Sequence, residues 1–567
     1  MNINSRGLWR YDLAMLGVAI LSYFCIGLGA HPYIIPSEAR YIEIPRQMLS
    51  TGDWLTPRIN GVPYFEKPPL FYWMQAAAIK LFGTDEWAGR IVTAILTTLT
   101  CLITYATGRM LYGRTAGILA AMVLTTSLMG YGLAHVAMLD VPVSLFITAC
   151  LACFLAAQQT GRRHFYLLMY AASALAMLSK GLIGIVIPGM VIGAWIALTG
   201  QWKIIREARL IVGTLIFLTI AAPWHLLMAE HHPDFLNFYF IHEHFTRYLT
   251  DEHKRTAPWW FFIAVTAVGL LPWTIIPLPT RGRVRVGARL LGLTMLRPPP
   301  SLPPIGGGVM LFLLLWIILP LIFFSTSHSK LISYIFPIFP PLAILIGRTL
   351  NDIIQGRAPM KILRINAIIM ATILTVILAA TQLLPALPGK AGQKLASLTA
   401  ISMPILFPIA LALIWLCYTL IKNRSPKSYI VALVLASTSI GFTANYAIAP
   451  LNPSTKSLAT GLKERLYPGD MVVAYGTYWQ DLPVYLNRNV TVVDWTGELS
   501  FGVDHYLETH EWMIPAEEFW KRCASAQRGI YVFINEDGFK TLPAHDDCKL
   551  NIIAESGKIL LLEKVHD

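Results

Sequence analysis

A chain whose apolar residues fall into long blocks, with its charges confined between them, has few folds open to it. Thirteen stretches here approach the roughly 20 apolar helical residues that cross a hydrocarbon core about 30 Å thick. They lie near 11–30, 90–111, 116–134, 141–158, 166–180, 182–199, 209–228, 258–279, 307–325, 331–348, 363–385, 402–421 and 429–448. Of the 567 residues, 55% are hydrophobic and 14% are charged, against about 25% charged in an ordinary soluble domain. That balance excludes a soluble multidomain enzyme, a disordered chain and a fibrous repeat. The expected fold is a polytopic α-helical membrane protein.

Loop charge gives the spans a direction. Arg6 and Arg10 precede the first span, so the N-terminus is expected in the cytoplasm. From there every second loop is basic, from Arg109 and Arg114 through Arg281–Arg297 to Lys422, Arg424 and Lys427. These inner loops account for the net charge of +13. No soluble basic domain carries it, so nucleic acid is not an expected partner. The first apolar run, Tyr11 to Ala30, is long enough to stay in the membrane, and no cleavable signal peptide is expected.

Odd parity puts the C-terminal segment, from about 450, on the outer side. β-rich runs at Met471–Gly476, Val490–Asp494, Gly529–Asn535, Leu550–Ala554 and Ile559–Lys564, with helical patterns at Tyr478–Leu486 and Pro515–Ala526, predict a small α/β domain. The expected division is a membrane domain over 1–449, with a long first outer loop at 31–89, and an outer domain over 450–567. Cys523 and Cys548 fall in a compartment that permits disulfides and are expected to pair. The other five cysteines lie in apolar runs. There Cys150 and Cys153 lack partner ligands and read as apolar filler.

Ionisable residues are few on the outer side, and those present are the functional candidates. The first loop holds Ser37-Glu38-Ala39-Arg40-Tyr41 and Tyr64-Phe65-Glu66-Lys67-Pro68-Pro69, where charges interleave with aromatics as in helices of the membrane interface. Later loops hold Asp140, Lys180, then His242, Glu243, His244 and Arg247, then His328, Lys330 and Tyr334. The ordinary alternative for any one of these is a side chain that meets lipid head groups. Glu66-Lys67 before a double proline favours function, because a rigid turn fixing two opposite charges at an interface is costly without a ligand. Basic residues beside tyrosines suit a phosphate. The His242-x-His244 spacing, with Glu66, offers a divalent metal only an incomplete ligand set. No cofactor is required.

Several stretches resemble the GT-C-type glycosyltransferases that use polyprenyl-phosphate sugars. The sequence is most similar to the aminoarabinose lipid A transferase family and its protein O-mannosyltransferase relatives. Ser37–Tyr41, YFEKPPLFYW at Tyr64–Trp73, MLDVP at Met138–Pro142, Leu178–Pro188, Phe324–Pro341, Val472–Leu486 and Asp494–Gly502 carry the resemblance. It implies about thirteen transmembrane helices and a periplasmic α/β domain in a monomeric bacterial inner-membrane enzyme. The implied reaction moves 4-amino-4-deoxy-L-arabinose from undecaprenyl phosphate to a lipid A phosphate at the periplasmic face. Lys67, Arg40, Arg247, Lys330, Tyr64 and Tyr334 would hold the carrier phosphate, and Glu66 would orient Lys67 or the sugar's ammonium. Asp140, Glu38 and Ser37 are the catalytic candidates. The family opens its first-loop motif with Asp-Glu, whereas this chain has Ser37-Glu38, and serine cannot act as a carboxylate base. Three readings compete: a phosphate acceptor, already anionic, needs a base less than a hydroxyl acceptor does; Glu38 or Asp140 takes the role; or the protein is slow or inactive. A transferase for another lipid-linked sugar with a glycan or protein hydroxyl acceptor, and a transporter or flippase, are the alternatives. A transporter would also line a path across mid-membrane with charge, and most midspan residues here are apolar.

Introduced cysteines test the direction of the chain. A membrane-impermeant thiol reagent applied from outside should label a cysteine near Asp537 and miss one near Arg285. The opposite pattern would invert the assignment of every candidate residue to the outer face.

Overall fold

The structure, a computed structural model, describes residues 5–246, 257–276, 307–383, 403–448, 452–543 and 545–565. The chain divides into two compact units. The first comprises residues 1–27, 93–135 and 139–446; the second comprises 28–92, 136–138 and 447–567. The first long loop thus falls in the same compact unit as the C-terminal segment.

The first unit is a helix bundle. In lipid each backbone donor needs a partner within its own segment, and the helix supplies one. Each of the thirteen expected stretches holds helix, but they are not equally long. Eight helices among the described residues are long and apolar enough to cross a membrane, or nine if Arg114–Thr126 and Leu128–Ala134, bent by 63°, count as one. Ile183–Thr199 and Leu406–Ile421 are shorter apolar helices. His164–Lys180 has 17 residues and Phe261–Gly269 nine. The count of thirteen is therefore approximate, and glycine and proline explain much of the difference. Gly181, at a φ of 95°, ends one helix just before the next begins.

Small residues let these helices approach closely, as expected where dispersion replaces the hydrophobic effect. A Cβ on Gly347, in helix Phe339–Ile354, would come within 2.6 Å of the Ala120 backbone nitrogen. One on Gly117 would meet the Tyr105 carbonyl at 2.6 Å. Near the chain start, Asp12 accepts hydrogen bonds from Tyr105, Arg109 and Arg114 at 2.6–2.8 Å. Two of the basic residues that set the topology also fasten the first helix to its neighbours.

The second unit contains a six-stranded sheet and the first loop. The loop contributes helix Ser37–Thr51, the short hairpin β1 (Arg58–Ile59) and β2 (Val62–Pro63), and helix Leu70–Phe82. The sheet uses β3 (Met471–Tyr475), β4 (Thr491–Val493), β5 (Met513–Ile514), β6 (Ile530–Asn535), β7 (Leu550–Ser556) and β8 (Ile559–Lys564), in the order β5-β4-β3-β6-β8-β7. Strands β5, β4, β3 and β6 are parallel, and β8 pairs antiparallel with both β6 and β7. Five of these strands match the predicted runs; β5, only two residues long, was not expected. The expected helix Tyr478–Leu486 shrinks to Leu482–Leu486, because Pro483 is favoured in a first turn and not farther in. Helix Ala516–Ser525 packs Phe519, Trp520 and Cys523 onto Val473, Val532 and Leu562. Cys523 is disulfide-bonded to Cys548, with Cα atoms 5.8 Å apart.

Asp481 joins this unit's segments. Fully buried, it accepts hydrogen bonds from Ser454 Oγ, Thr455 N and Thr455 Oγ1 at 2.8–3.0 Å, ahead of helix Lys456–Lys463. Burial pushes its carboxyl up from 3.8 to about 6, against those donors. The folded state therefore keeps a proton that the unfolded chain has given up, and this group's contribution falls as pH rises from 3.8 to about 6. The unfolding temperature of the purified protein, followed by near-UV circular dichroism, should drop relative to that of Asp481→Asn as pH is raised from 4.5 to 7. Parallel curves for the two proteins would contradict the assignment.

Candidate active site

Two groups of buried, paired ionisable side chains are the candidates for chemistry, one in each unit. The first begins with helix Ser37–Thr51. Its sequence reads as an interfacial helix, but Glu38, Arg40, Glu43 and Arg46 are all buried. Charges removed from water must be paired and hydrogen-bonded, and each of these is. Glu38 receives Arg90 Nε at 2.7 Å, Arg90 Nη2 at 2.8 Å, Ala137 N at 2.9 Å and Ile34 N at 3.0 Å. Burial alone would raise its carboxyl; the Arg90 guanidinium and two backbone N–H groups outweigh burial and hold it below the usual range.

Arg90 is fully buried at the start of helix Glu86–Tyr112. Beyond Glu38 it donates to the carbonyls of Leu28, His31 and Pro32 at 2.7–3.1 Å. The loop entering helix Ser37–Thr51 is thus wrapped around one guanidinium. Sequence reasoning did not single out Arg90, since it reads as the charged edge of a span. Glu86, four residues earlier, was a signal: two charges one turn apart at a span boundary need an explanation. It accepts from Tyr485 Oη at 2.9 Å and Lys456 Nζ at 2.7 Å.

Farther along the same helix, Arg40 donates to Tyr64 Oη at 3.1 Å and is ion-paired with Glu498. Arg46 makes a two-pronged pair with Glu43 at 2.6 and 2.7 Å and donates to Asn489 at 2.9 Å. Lys67 is half-buried, and its ammonium donates to the Glu66 carbonyl at 2.7 Å. Ser37 is half-buried in the helix's first turn. Arg40, Tyr64, Glu66 and Lys67, expected to act together, all belong to this unit.

The second group lies in the bundle. Asp140 opens helix Asp140–Thr160, where the helix dipole favours an anion, and it is 6% exposed. Lys180, the last residue of helix His164–Lys180, is ion-paired with it. Ser333 Oγ donates to its other oxygen at 2.9 Å. The Lys180 ammonium also stands 4.1 Å from the centre of the Tyr334 ring. Lys330 donates to the Ser327 carbonyl at 2.6 Å. Three helix ends thus bring a carboxylate, an ammonium and a phenol together. Lys180 was noted in the sequence as an isolated outer charge, and Ser333 was not named; their pairing with Asp140 spans up to 193 residues and leaves no local trace.

Among the expected residues, Arg247 and the side chains of His242 and His244 lie outside the described residues. Among the described residues no three His, Cys, Asp or Glu side chains are grouped to hold a metal.

Comparison with known proteins matches both units. Residues 66–226 match the family described as dolichyl-phosphate-mannose-protein mannosyltransferase, and 458–564 match the aminoarabinose transferase C-terminal domain. The undecaprenyl phosphate-α-4-amino-4-deoxy-L-arabinose arabinosyl transferase of Pectobacterium atrosepticum is 30% identical over 541 residues, covering 90% of this chain and 91% of that protein. The enzyme of that name from Edwardsiella ictaluri is 29% identical over 89% of each chain. Among solved structures, ArnT from Cupriavidus metallidurans bound to undecaprenyl phosphate has a TM-score of 0.80 and 26% identity, with 97% of each chain covered.

The buried Glu38–Arg90 pair sets a stability test. Arg90→Ala strands a carboxylate in a dry site, where breaking such a pair costs about 3–5 kcal/mol. Glu38→Gln removes one charge and keeps an acceptor. Arg90→Ala should therefore lower the unfolding temperature of the detergent-solubilised protein clearly more than Arg90→Ala/Glu38→Gln does. Equal losses would show that the stranded charge is not the cause.

A multi-spanning helix bundle joined to an α/β unit, carrying buried carboxylate–cation groups and matched end to end by these enzymes, belongs to the undecaprenyl phosphate-α-4-amino-4-deoxy-L-arabinose arabinosyl transferase family of GT-C glycosyltransferases.

Proposed function

We propose that this protein transfers 4-amino-4-deoxy-L-arabinose from undecaprenyl phosphate to a lipid A phosphate, at the periplasmic face of the bacterial inner membrane. The end-to-end likeness to ArnT bound to undecaprenyl phosphate carries this reading. In this reading the membrane domain spans 1–449, the 450–567 segment is periplasmic, and the enzyme works as a monomer.

The reaction breaks the bond between the sugar's anomeric carbon and the carrier phosphate, and forms one to an acceptor phosphate oxygen. The bonding pair leaves with the carrier phosphate, whose negative charge grows. Preorganised cations in a poorly hydrated site are the main means of stabilising such charge. Lys67 serves this role on the first loop, with the Tyr64 hydroxyl that Arg40 holds in place; Arg247, Lys330 and Tyr334 serve it on the later loops. Glu66 sits beside Lys67 in the chain and orients it or meets the sugar's ammonium.

Asp140 acts at the reacting end, with Lys180 and Ser333 fixing both its oxygens. Glu38 is given no proton-transfer role, because its two oxygens already accept four hydrogen bonds. It anchors the loop that carries Arg40. Ser37 takes no base role either, in keeping with an acceptor that is already an anion.

Mass spectrometry of lipid A from cells with and without this protein should show an increment of one aminopentose. In a reconstituted assay Lys67→Ala should slow transfer about tenfold to a hundredfold, the loss of one charge-assisted hydrogen bond. Asp140→Asn should impair turnover more than carrier binding, and Ser37→Asp should change the rate little. Full activity in both the Lys67 and Asp140 variants would remove these residues from the site.

A further inference from the structure

Among the buried polar atoms of the second unit that lack a hydrogen-bond partner within the described residues are Arg40 Nε, Tyr478 Oη and Gln480 Oε1. Their residues are 6%, 3% and 3% exposed. Buried polar atoms are nearly always paired, with protein, ordered water or ligand. Two of these residues meet one carboxylate. Glu498 is ion-paired with Arg40 and accepts from Gln480 Nε2 at 3.2 Å, and Tyr478 lies two residues before Gln480 in the same loop.

Their place in the fold points the same way. Tyr478 and Gln480 lie in the loop leaving the carboxyl end of β3, and Glu498 follows β4. The order β4-β3-β6 makes β3 the strand from which the sheet grows in both directions. Asn535, at the end of β6, reaches Thr477 in the same loop at 3.3 Å. Open α/β sheets bind ligands outside the carboxyl ends of their strands at such a switch point. Helix Ser37–Thr51 meets this edge through Arg40–Glu498 and through Arg46 and Gln47 on Asn489.

We propose that Arg40, Tyr478, Gln480 and Glu498 form a saccharide-binding site. The set mixes a donor at Arg40 Nε, an acceptor at Gln480 Oε1, a hydroxyl able to do both at Tyr478, and a carboxylate. That pattern fits the hydroxyl and amino groups of a sugar. A phosphate would want cations to spare, and the one guanidinium here is already neutralised by Glu498. The Tyr478 ring, 5.4 Å from that of Trp495, adds aromatic surface. The proposal rests on the aminosugar transfer inferred above, and the sugar comes either from the carrier-linked donor or from the acceptor.

Saturation-transfer NMR on the full chain in nanodiscs, with methyl 4-amino-4-deoxy-L-arabinoside as probe, tests the site apart from catalysis. The wild-type protein should bind the glycoside. Tyr478→Phe and Gln480→Met, checked for an unchanged unfolding temperature, should each weaken binding about threefold to tenfold, as the loss of one hydrogen bond implies. Affinity for sugar-free undecaprenyl phosphate should not change. Displacement by the sugar-linked carrier assigns the site to the donor, and displacement by lipid A assigns it to the acceptor. Equal glycoside binding by the wild type and both variants, or none by the wild type, overturns the site. Absence of transfer by a wild-type protein that binds the glycoside counts against the function and not against the site.

Discussion

The first loop is held in place by one buried ion pair. Glu38 and Arg90 have no exposed surface, and between them they accept or donate hydrogen bonds to Leu28, His31, Pro32, Ile34 and Ala137. Such a pair adds little net stability over an apolar core of the same shape, because both ions lose their hydration. Its value is geometric. The hydrogen bonds that converge on these two side chains tie the segment from Leu28 to Glu38 to the start of helix Glu86–Tyr112. Arg40 stands half a turn beyond Glu38 on the same helix, and its position is inherited from this pair.

The same logic runs down helix Ser37–Thr51. Glu43 and Arg46 answer each other, and Asn489 bonds both Arg46 and Gln47. Glu498 answers Arg40. The side of the helix that would face water in an amphipathic interfacial segment is turned into protein and neutralised residue by residue. In the bundle, Asp140 is treated alike by Lys180 and Ser333. Each of Glu38, Arg40, Glu43, Arg46 and Asp140 thus faces an opposite charge.

Much of this architecture was legible in the sequence. The apolar blocks declare the helices, because a span must be apolar along its whole length. Runs of β-branched residues declare β3, β4, β6, β7 and β8. Two parts were not legible. Gly181, at a positive φ, ends helix His164–Lys180, and a window of 20 residues has no means of seeing that. The pairing of charges was the other. Lys180 looks solitary in its loop and Arg90 looks like a span edge, since their partners lie 40 and 52 residues away. Composition placed the first loop at a membrane surface for a related reason: its charges look solvated until their partners are known. YFEKPP and Asp140 stood out because ionisable residues are rare on that side of the chain.

The partners of helix Ser37–Thr51 have a consequence for how the protein is made. Arg46 meets Asn489, 443 residues later, and Arg40 meets Glu498, 458 residues later. The ribosome makes the first loop long before either partner exists. Through most of synthesis Arg40 therefore lacks its carboxylate and Arg46 and Gln47 lack Asn489, while the Glu38–Arg90 and Glu43–Arg46 pairs have both members present. The contacts of helix Ser37–Thr51 with Asn489 and Glu498 are thus completed only when the last sixth of the chain is being made.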